Sequence, residues 1–366
     1  MSMTGKWRRA AAAFGAIALL AAACGGGDSD PGSAEPDEDG TETDGGDSED
    51  GAGGEVLSSL TVGINNPNYA TQLALVIAIE RGYFEEEGIT DIEIIETDDY
   101  IPGLIGGSLH LTQGDTDAAF GSAEASGEDI VFTGTYRNSE YQILGVGPGV
   151  ETAEDLKGGD LTGGALGSRN QRLLARIVEE LGLDSETDVN FVPQGGNSDA
   201  TLQAIIAGTV KGGSLFPRHK FALEAAGGQF LYENLAELPQ EGVLVMGDFY
   251  EENFDTVVAY WRATLKARAD MWEAKDDPEA AKEIIDLMRN FGFEIPEEFE
   301  GVFNLEVEQV SEDGGFDPSQ MDELVAEQIE LENLPEGIDW RQFVDLGALH
   351  QAQDDLGITQ NPASLD

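Results

Sequence analysis

The sequence predicts an α/β protein of two lobes, each built on a largely parallel sheet, joined by a hinge with a ligand cleft between them. Three observations point there. From residue 57 onward, short β-branched runs alternate with segments of helical periodicity, the pattern of strand–helix–strand units. A Gly- and Pro-rich passage, GVGPGVETAEDLKGGD from Gly145, interrupts the alternation before a second series begins. At 366 residues and 40% hydrophobic composition, the chain is long enough for two cores of ordinary domain size.

The first series opens with strand SLTVGI, 59–64. Asn66-Pro67 then supplies a cap and a first-turn proline for a helix running to about Glu87, with Leu73, Val76 and Ile77 at helical spacing. DIEIIET is a strand, IPGLIGGSLHLTQG a Gly-loosened helix and DAAFGS a short buried strand; IVFTGTY and YQILGVG read as two further strands. In the second series LTGGAL is a strand, 168–182 a helix, VNFVPQ a strand, 198–207 a helix, VKGGSLFP a strand, 218–226 a short helix and QFLYE a strand. GVLVMGDFY follows as another strand, then helices at about 253–275, 278–291 and 319–333, with Asp277-Pro278 marking one start. No tandem repeat of fixed period is present. These readings divide the chain into 57–145, the first part of lobe 1; 146–240, lobe 2; and 241–366, the return of lobe 1 with C-terminal helices. The two connections are expected at the glycines of 145–149 and at 242–249.

Ahead of the folded part, Lys6, Arg8 and Arg9 precede an uncharged run, Ala10 to Ala23, too short for a good transmembrane span, and Cys24 follows it. The run Leu20-Ala21-Ala22-Ala23-Cys24 resembles a bacterial lipobox, which implies cleavage after residue 23 and a lipid anchor on Cys24. Residues 24–56 are Gly-, Ser- and acid-rich with little to bury, the composition of a flexible, self-repelling tether. Cys24 is the single cysteine, which excludes internal disulfides and multi-cysteine metal sites. The formal charge is −53, and loss of three cations with residues 1–23 would make it −56. Such acidity argues against nucleic acid as a partner and would suit a salty or alkaline exterior.

Enzyme constellations are absent: there is no phosphate-binding GxxxxGK[ST], no HExxH and no GxSxG. His110, His219 and His350 stand more than a hundred residues apart, and carboxylates are too dense for any pair to carry information. No enzyme, metal or cofactor is expected. What remains is a set of polar helix starts after strands, where ligands gather in open α/β sheets. Asn66, Asn68 and Tyr69 form one; Ser122 another; Ser168, Arg169 and Asn170 a third; Gly196 and Asn197 a fourth; Phe216 and Arg218 a fifth. Each also reads as an ordinary cap. On the 168–182 helix, Leu173, Leu174, Ile177, Val178 and Leu181 share one face, which leaves Arg172 and Arg176 toward solvent, Arg176 near Glu179 or Glu180, and Arg169 alone at the cleft mouth.

Several stretches resemble one family. AIERGYFEEEGI at 78–89 is similar to its A-x-E-x-G-Y-F-x-x-E-G, QGDTDAAFGS at 113–122 to a G-x-x-D-[IA] entry, EDLKGG at 154–159 to D-L-K-G-K, and AIIAGTVKGG at 204–213 to A-L-x-A-G-x-V-D-A. NQRLLARIVEELGLD resembles its L-L-x-x-x-L-x-x-x-G-L. These are motifs of the SsuA/THI5-like, or NMT1-like, solute-binding proteins of ABC transporters, among them binders of sulfonates, taurine, nitrate and thiamine pyrimidines. The resemblance implies a type II periplasmic-binding-protein fold, a monomer at the outer face of the membrane, delivery to a permease and its ATPase, and ligand contact through the five turns. Lys211 replaces the usual Asp, and the cysteines of the pyrimidine-forming enzymes are missing. Arg169 and Arg218 favour a small anionic organic solute; Tyr69, Tyr136 and Phe216 leave a planar heterocycle open as the alternative, with a precursor-forming enzyme or an extracellular sensor as the other classes.

Overall fold

The computed structural model describes residues 7–9, 54–64, 72–97, 99–166, 168–195 and 198–365, without the side chains of 7–9 and 169. Cys24, the lipobox, the tether as far as residue 53, and the turn of Asn66, Asn68 and Tyr69 lie outside the described residues, as do Gly196 and Asn197.

Nine strands form one sheet: β1 (Trp7–Arg9), β2 (Ser59–Ile64), β3 (Asp91–Glu96), β4 (Leu111–Asp115), β5 (Ile130–Val146), β6 (Asp160–Thr162), β7 (Asn190–Phe191), β8 (Gly212–Leu215) and β9 (Gln229–Met246). Their order is β1-β3-β2-β4-β9-β5-β8-β6-β7. The expected α/β fold is present, and the order has an internal symmetry. β3-β2-β4 on one side and β7-β6-β8 on the other are parallel sets; each presents its third strand to an antiparallel ribbon made of β9 and β5. Parallel strands need crossover helices, which the alternating sequence supplies.

Two expectations about strands are corrected. IVFTGTY and YQILGVG are one strand of 17 residues, and QFLYE and GVLVM are one of 18. The polar stretches between them, RNSE and NLAELPQE, read as loops locally but pair with each other, Arg137 with Glu241 and Ser139 with Glu237. Register shifts between Phe132 and Ser139 bend this ribbon. Gly134 sits there at φ +141, and a Cβ on it would meet Trp261, Leu349 and the Gly314 carbonyl at 2.8–3.0 Å. The passage from one half to the other therefore runs through about 133–142 and 233–241. Gly145 lies beyond it, in the second core, where its missing Cβ leaves room for Leu215.

DAAFGS is also corrected, from strand to helix: the strand of this region is β4, and a helix spans Thr116–Ser126. Its small alanines pack as well on a helix as on a strand. The preceding glycine-rich helix is short, Tyr100–Ile105. GDFY likewise begins a helix, Gly247–Glu252, rather than extending the strand. C-terminal helices at Phe254–Ala274, Pro278–Phe291 and Pro318–Glu330 agree with expectation, and Asp277 and Asp317 cap the last two with their carboxylates.

Apolar packing is divided. One large cluster draws on 60–132 and 243–352, centred on fully buried Trp261, Tyr260, Phe132 and Phe316. Two small clusters serve the second half: one around Leu144, Leu161, Leu174, Ile177 and Val178, the other around Ile143, Ile205, Leu215 and Leu223. No helix of the described residues is long and apolar enough to cross a membrane.

Candidate functional site

β2, β3 and β4 end at Ile64, Glu96 and Asp115; β6, β7 and β8 end at Thr162, Phe191 and Leu215. Asp115 pairs with Glu241 at one station of the ribbon, and Leu215 pairs with Ile143 at another. The two sets of carboxyl ends thus approach the middle of the ribbon, residues 136–142 and 233–241, from opposite sides. Helix N-termini follow each end, the arrangement in which α/β sheets bind solutes.

In the second half these turns are fastened by side chains. Ser168 is extended and its Oγ accepts the Gln171 N–H at 3.3 Å, a true cap, while the same hydroxyl donates to the Gly163 carbonyl at 3.2 Å. Gly163 is required there, since a Cβ would lie 2.5 Å from the Gln171 Cα. Arg169 and Asn170 begin the helix that Ser168 caps. Arg172, expected toward solvent, is half-buried with its Nε out of reach of water. Arg176 is exposed, as expected, but pairs with Glu327 at 2.8 Å rather than Glu179 or Glu180. Glu327 belongs to the helix Pro318–Glu330, so this bond ties the second half to an element packed on β9 and the large cluster.

Phe216 and Arg218 lie in the single turn Pro217–His219 after β8. The Arg218 guanidinium stands 4.5 Å over the Phe216 ring and donates to Ser198 Oγ at 3.0 Å. Among the described residues it makes no contact ion pair, although the buried Glu306 carboxylate lies near enough to feel its charge. His219, given no role by the sequence, fixes this turn: its Nδ1 accepts the Phe216 N–H at 3.0 Å and its Nε2 donates to Asp199 at 3.0 Å. That pattern holds the neutral imidazole, and burial, then repulsion from Arg218, lowers its pKa to about 4 despite Asp199.

Ser122 is not part of this set. It lies in the second turn of its helix, where its carbonyl accepts the Ser126 hydroxyl, and the strand end is held by Asp115, bonded by the Tyr100 hydroxyl at 3.2 Å, and by Thr116, bonded to the Pro239 carbonyl. Tyr136 is buried against Glu241, and burial, then the Glu241 carboxylate, pushes its hydroxyl well above the usual tyrosine range; it does not present a free face for stacking. Lys211 is a structural clamp: its Nζ donates to the Asp155 and Lys157 carbonyls at 2.6 and 3.1 Å and holds the DLKG turn against β8.

Sequence reasoning missed the charges at the ribbon. Arg137 donates to Gln309 at 2.7 Å and lies 3.6 Å from Glu241, while Tyr141 donates to Glu308 at 2.6 Å. Their partners come from more than a hundred residues away, and among 72 acids no local signal marks Glu241, Glu306 or Glu308.

Two parallel sets closing on one antiparallel ribbon define the periplasmic-binding-protein fold, and solved structures agree. The aliphatic sulphonate binding protein SsuA of Escherichia coli is 18% identical with a TM-score of 0.58, over 79% of this chain and 92% of that one. The nitrate-binding protein NrtA of Synechocystis PCC 6803 is 12% identical with a TM-score of 0.61, over 85% and 92%. The desulfurization enzyme DSZB shares the fold too, at 14% identity and a TM-score of 0.60, over 81% and 99%. The NMT1/THI5-like family matches residues 69–281, more than half of the chain, and the chain belongs to that family. No curated protein sequence matches it.

Proposed function

We propose that this protein is an extracytoplasmic solute-binding lipoprotein of an ABC importer, anchored through Cys24 and held off the membrane by the 24–56 tether. It captures a small organic anion between the two halves, which close by bending the ribbon, and passes it to a permease. The observation that carries the reading is the second-half site: Arg218, half-buried, stacked on Phe216 and oriented by Ser198, stands in the turn after β8 with no contact ion pair among the described residues. Arg169, at the first turn of a capped helix, is the second anion contact. Family membership and the sulphonate- and nitrate-binding neighbours support it. Closure would be a population shift, since a solute touching both halves favours the closed form.

We infer binding without turnover. DSZB shows that this fold also serves an enzyme; the NMT1/THI5-like family and the sulphonate- and nitrate-binding neighbours are what support binding here.

Thermal-shift and calorimetric titration of the mature protein with nitrate, methanesulfonate, taurine, a pyrimidine and a flavin test the proposal. One or more anions should raise the melting temperature, and Arg218→Ala and Arg169→Ala should each weaken binding at least tenfold, about 1.4 kcal/mol. Stabilisation by heterocycles alone would refute the anionic assignment; chemical conversion of a bound compound would refute the non-enzymatic one.

A further inference from the structure

The helix Phe303–Val307, from the returning C-terminal part, packs against the Pro217–His219 turn of the second half. It carries Glu306, only 3% exposed. Glu306 Oε2 accepts the Gln309 amide at 2.9 Å, and its Oε1 makes no hydrogen bond among the described residues. A buried carboxylate oxygen that the Arg218 N–H approaches without reaching hydrogen-bond geometry is costly and needs an explanation.

The groups that face it come from every neighbouring element. Arg218, from the turn, faces it with both backbone N–H and guanidinium; Arg137 and Tyr141 face it from β5; Gln309 adjoins it in sequence. One step further out, Glu241 on β9 lies against Arg137, and Glu308 with Lys275 lies against Tyr141. His219, next to Arg218, is directed to Asp199 instead. With both carboxylates ionised, Arg137 and Arg218 are already matched in number by Glu241 and Glu306. A solute anion that pairs with Arg218 would then share a water-poor space with a second negative charge.

We propose that Glu306 is a specificity-determining residue of the solute site: a built-in counter-ion of Arg218 that takes up a proton when an anion binds. This rests on the anionic reading above. The protonated form removes the like charge and frees Arg218 for the solute. No group other than a proton is consumed, and the proton comes from solvent. Burial favours the same protonation, raising the pKa of Glu306 despite the two arginines. The sign follows: anion affinity is highest where Glu306 is readily protonated and falls as pH rises.

The test is calorimetry of the mature protein with nitrate and with methanesulfonate at pH 5.5, 7.0 and 8.5, in buffers of different ionisation enthalpy. Wild type should bind at least tenfold more weakly at pH 8.5 than at pH 5.5, and the buffer dependence should report uptake approaching one proton per anion. Glu306→Gln should bind with nearly constant affinity and at least tenfold more tightly than wild type at pH 8.5. An affinity of wild type that does not change with pH, or a Glu306→Gln protein with the wild-type pH profile, overturns the inference while leaving the anionic reading intact. If Glu306→Gln does not fold, the wild-type proton count decides, and zero uptake overturns it. Failure of either anion to bind either protein at any pH overturns both readings together.

Discussion

The two halves share a topology and differ in how they are held. The first half rests on one continuous apolar cluster beneath β2–β4, joined by helix Phe254–Ala274; the second has two small clusters, and its loops are set by directed polar bonds. Ser168 to Gly163, Arg218 to Ser198 and His219 to Asp199 position the turns of the second half, whereas in the first half Tyr100 to Asp115 and Thr116 to Pro239 hold a strand end that also rests on the large core. A solute site needs polar groups fixed in direction, and a small core with stitched turns supplies them without a large buried area. The first half holds the large core, and the second holds the turns proposed for recognition.

The largest effect that separates the halves is expected at Trp261. It is fully buried, donates to Thr133 Oγ1 at 3.2 Å and lies under the Arg268 guanidinium. Trp261→Ala should cost about 3–5 kcal/mol in denaturant unfolding. A loss under about 1 kcal/mol would break the assignment of stability to this cluster.

Next in size is a pH effect in the second half. His219 has a folded pKa of about 4, below its ordinary value near 6.5, so the unfolded chain binds the extra proton between these values. The stability it contributes is fully present above about pH 6.5 and is lost as pH falls toward 4, with a ceiling of about 3 kcal/mol. His219→Phe should flatten that slope relative to wild type in melts from pH 4 to 7.

Smaller still is Arg176→Ala, which removes an exposed pair with Glu327. Its cost should be about 0.2–1 kcal/mol at low salt and should vanish in molar salt. A larger, salt-insensitive loss would mean the two elements are joined by more than this pair. Arg172→Ala should lower the melting temperature, because its side chain is half-buried, and should leave anion affinity within about threefold of wild type.

Much of this organisation was legible in the sequence. Alternating runs predicted the α/β fold, Asp277-Pro278 predicted a helix start that the carboxylate caps, and the apolar stripe Leu173, Leu174, Ile177 and Val178 is buried as expected. The Ser168 cap and the turn at Phe216–Arg218 were legible because both are local signals. The long ribbon was not: a strand whose middle reads Arg137-Asn138-Ser139-Glu140 has no apolar face of its own and depends on pairing with residues about a hundred positions away. Ser122 misled because DAAFGS suits strand and helix alike. Arg172 misled because a helical wheel knows only its own helix, and the neighbouring elements decide which side is wet. Glu306 was invisible for the same reason, being one acid among many until the C-terminal part brings it beside Arg218.

Closure about the ribbon is the central claim, and a distance tests it most directly. With Cys24→Ser and spin labels at Glu85→Cys and Glu186→Cys, one exposed site in each half, pulsed dipolar spectroscopy reads their separation with and without a saturating anion from the binding screen. Closure predicts a broad distribution that narrows and shifts by several ångströms on binding, and less so in Arg218→Ala. An identical distribution with the anion shown to be bound would contradict it.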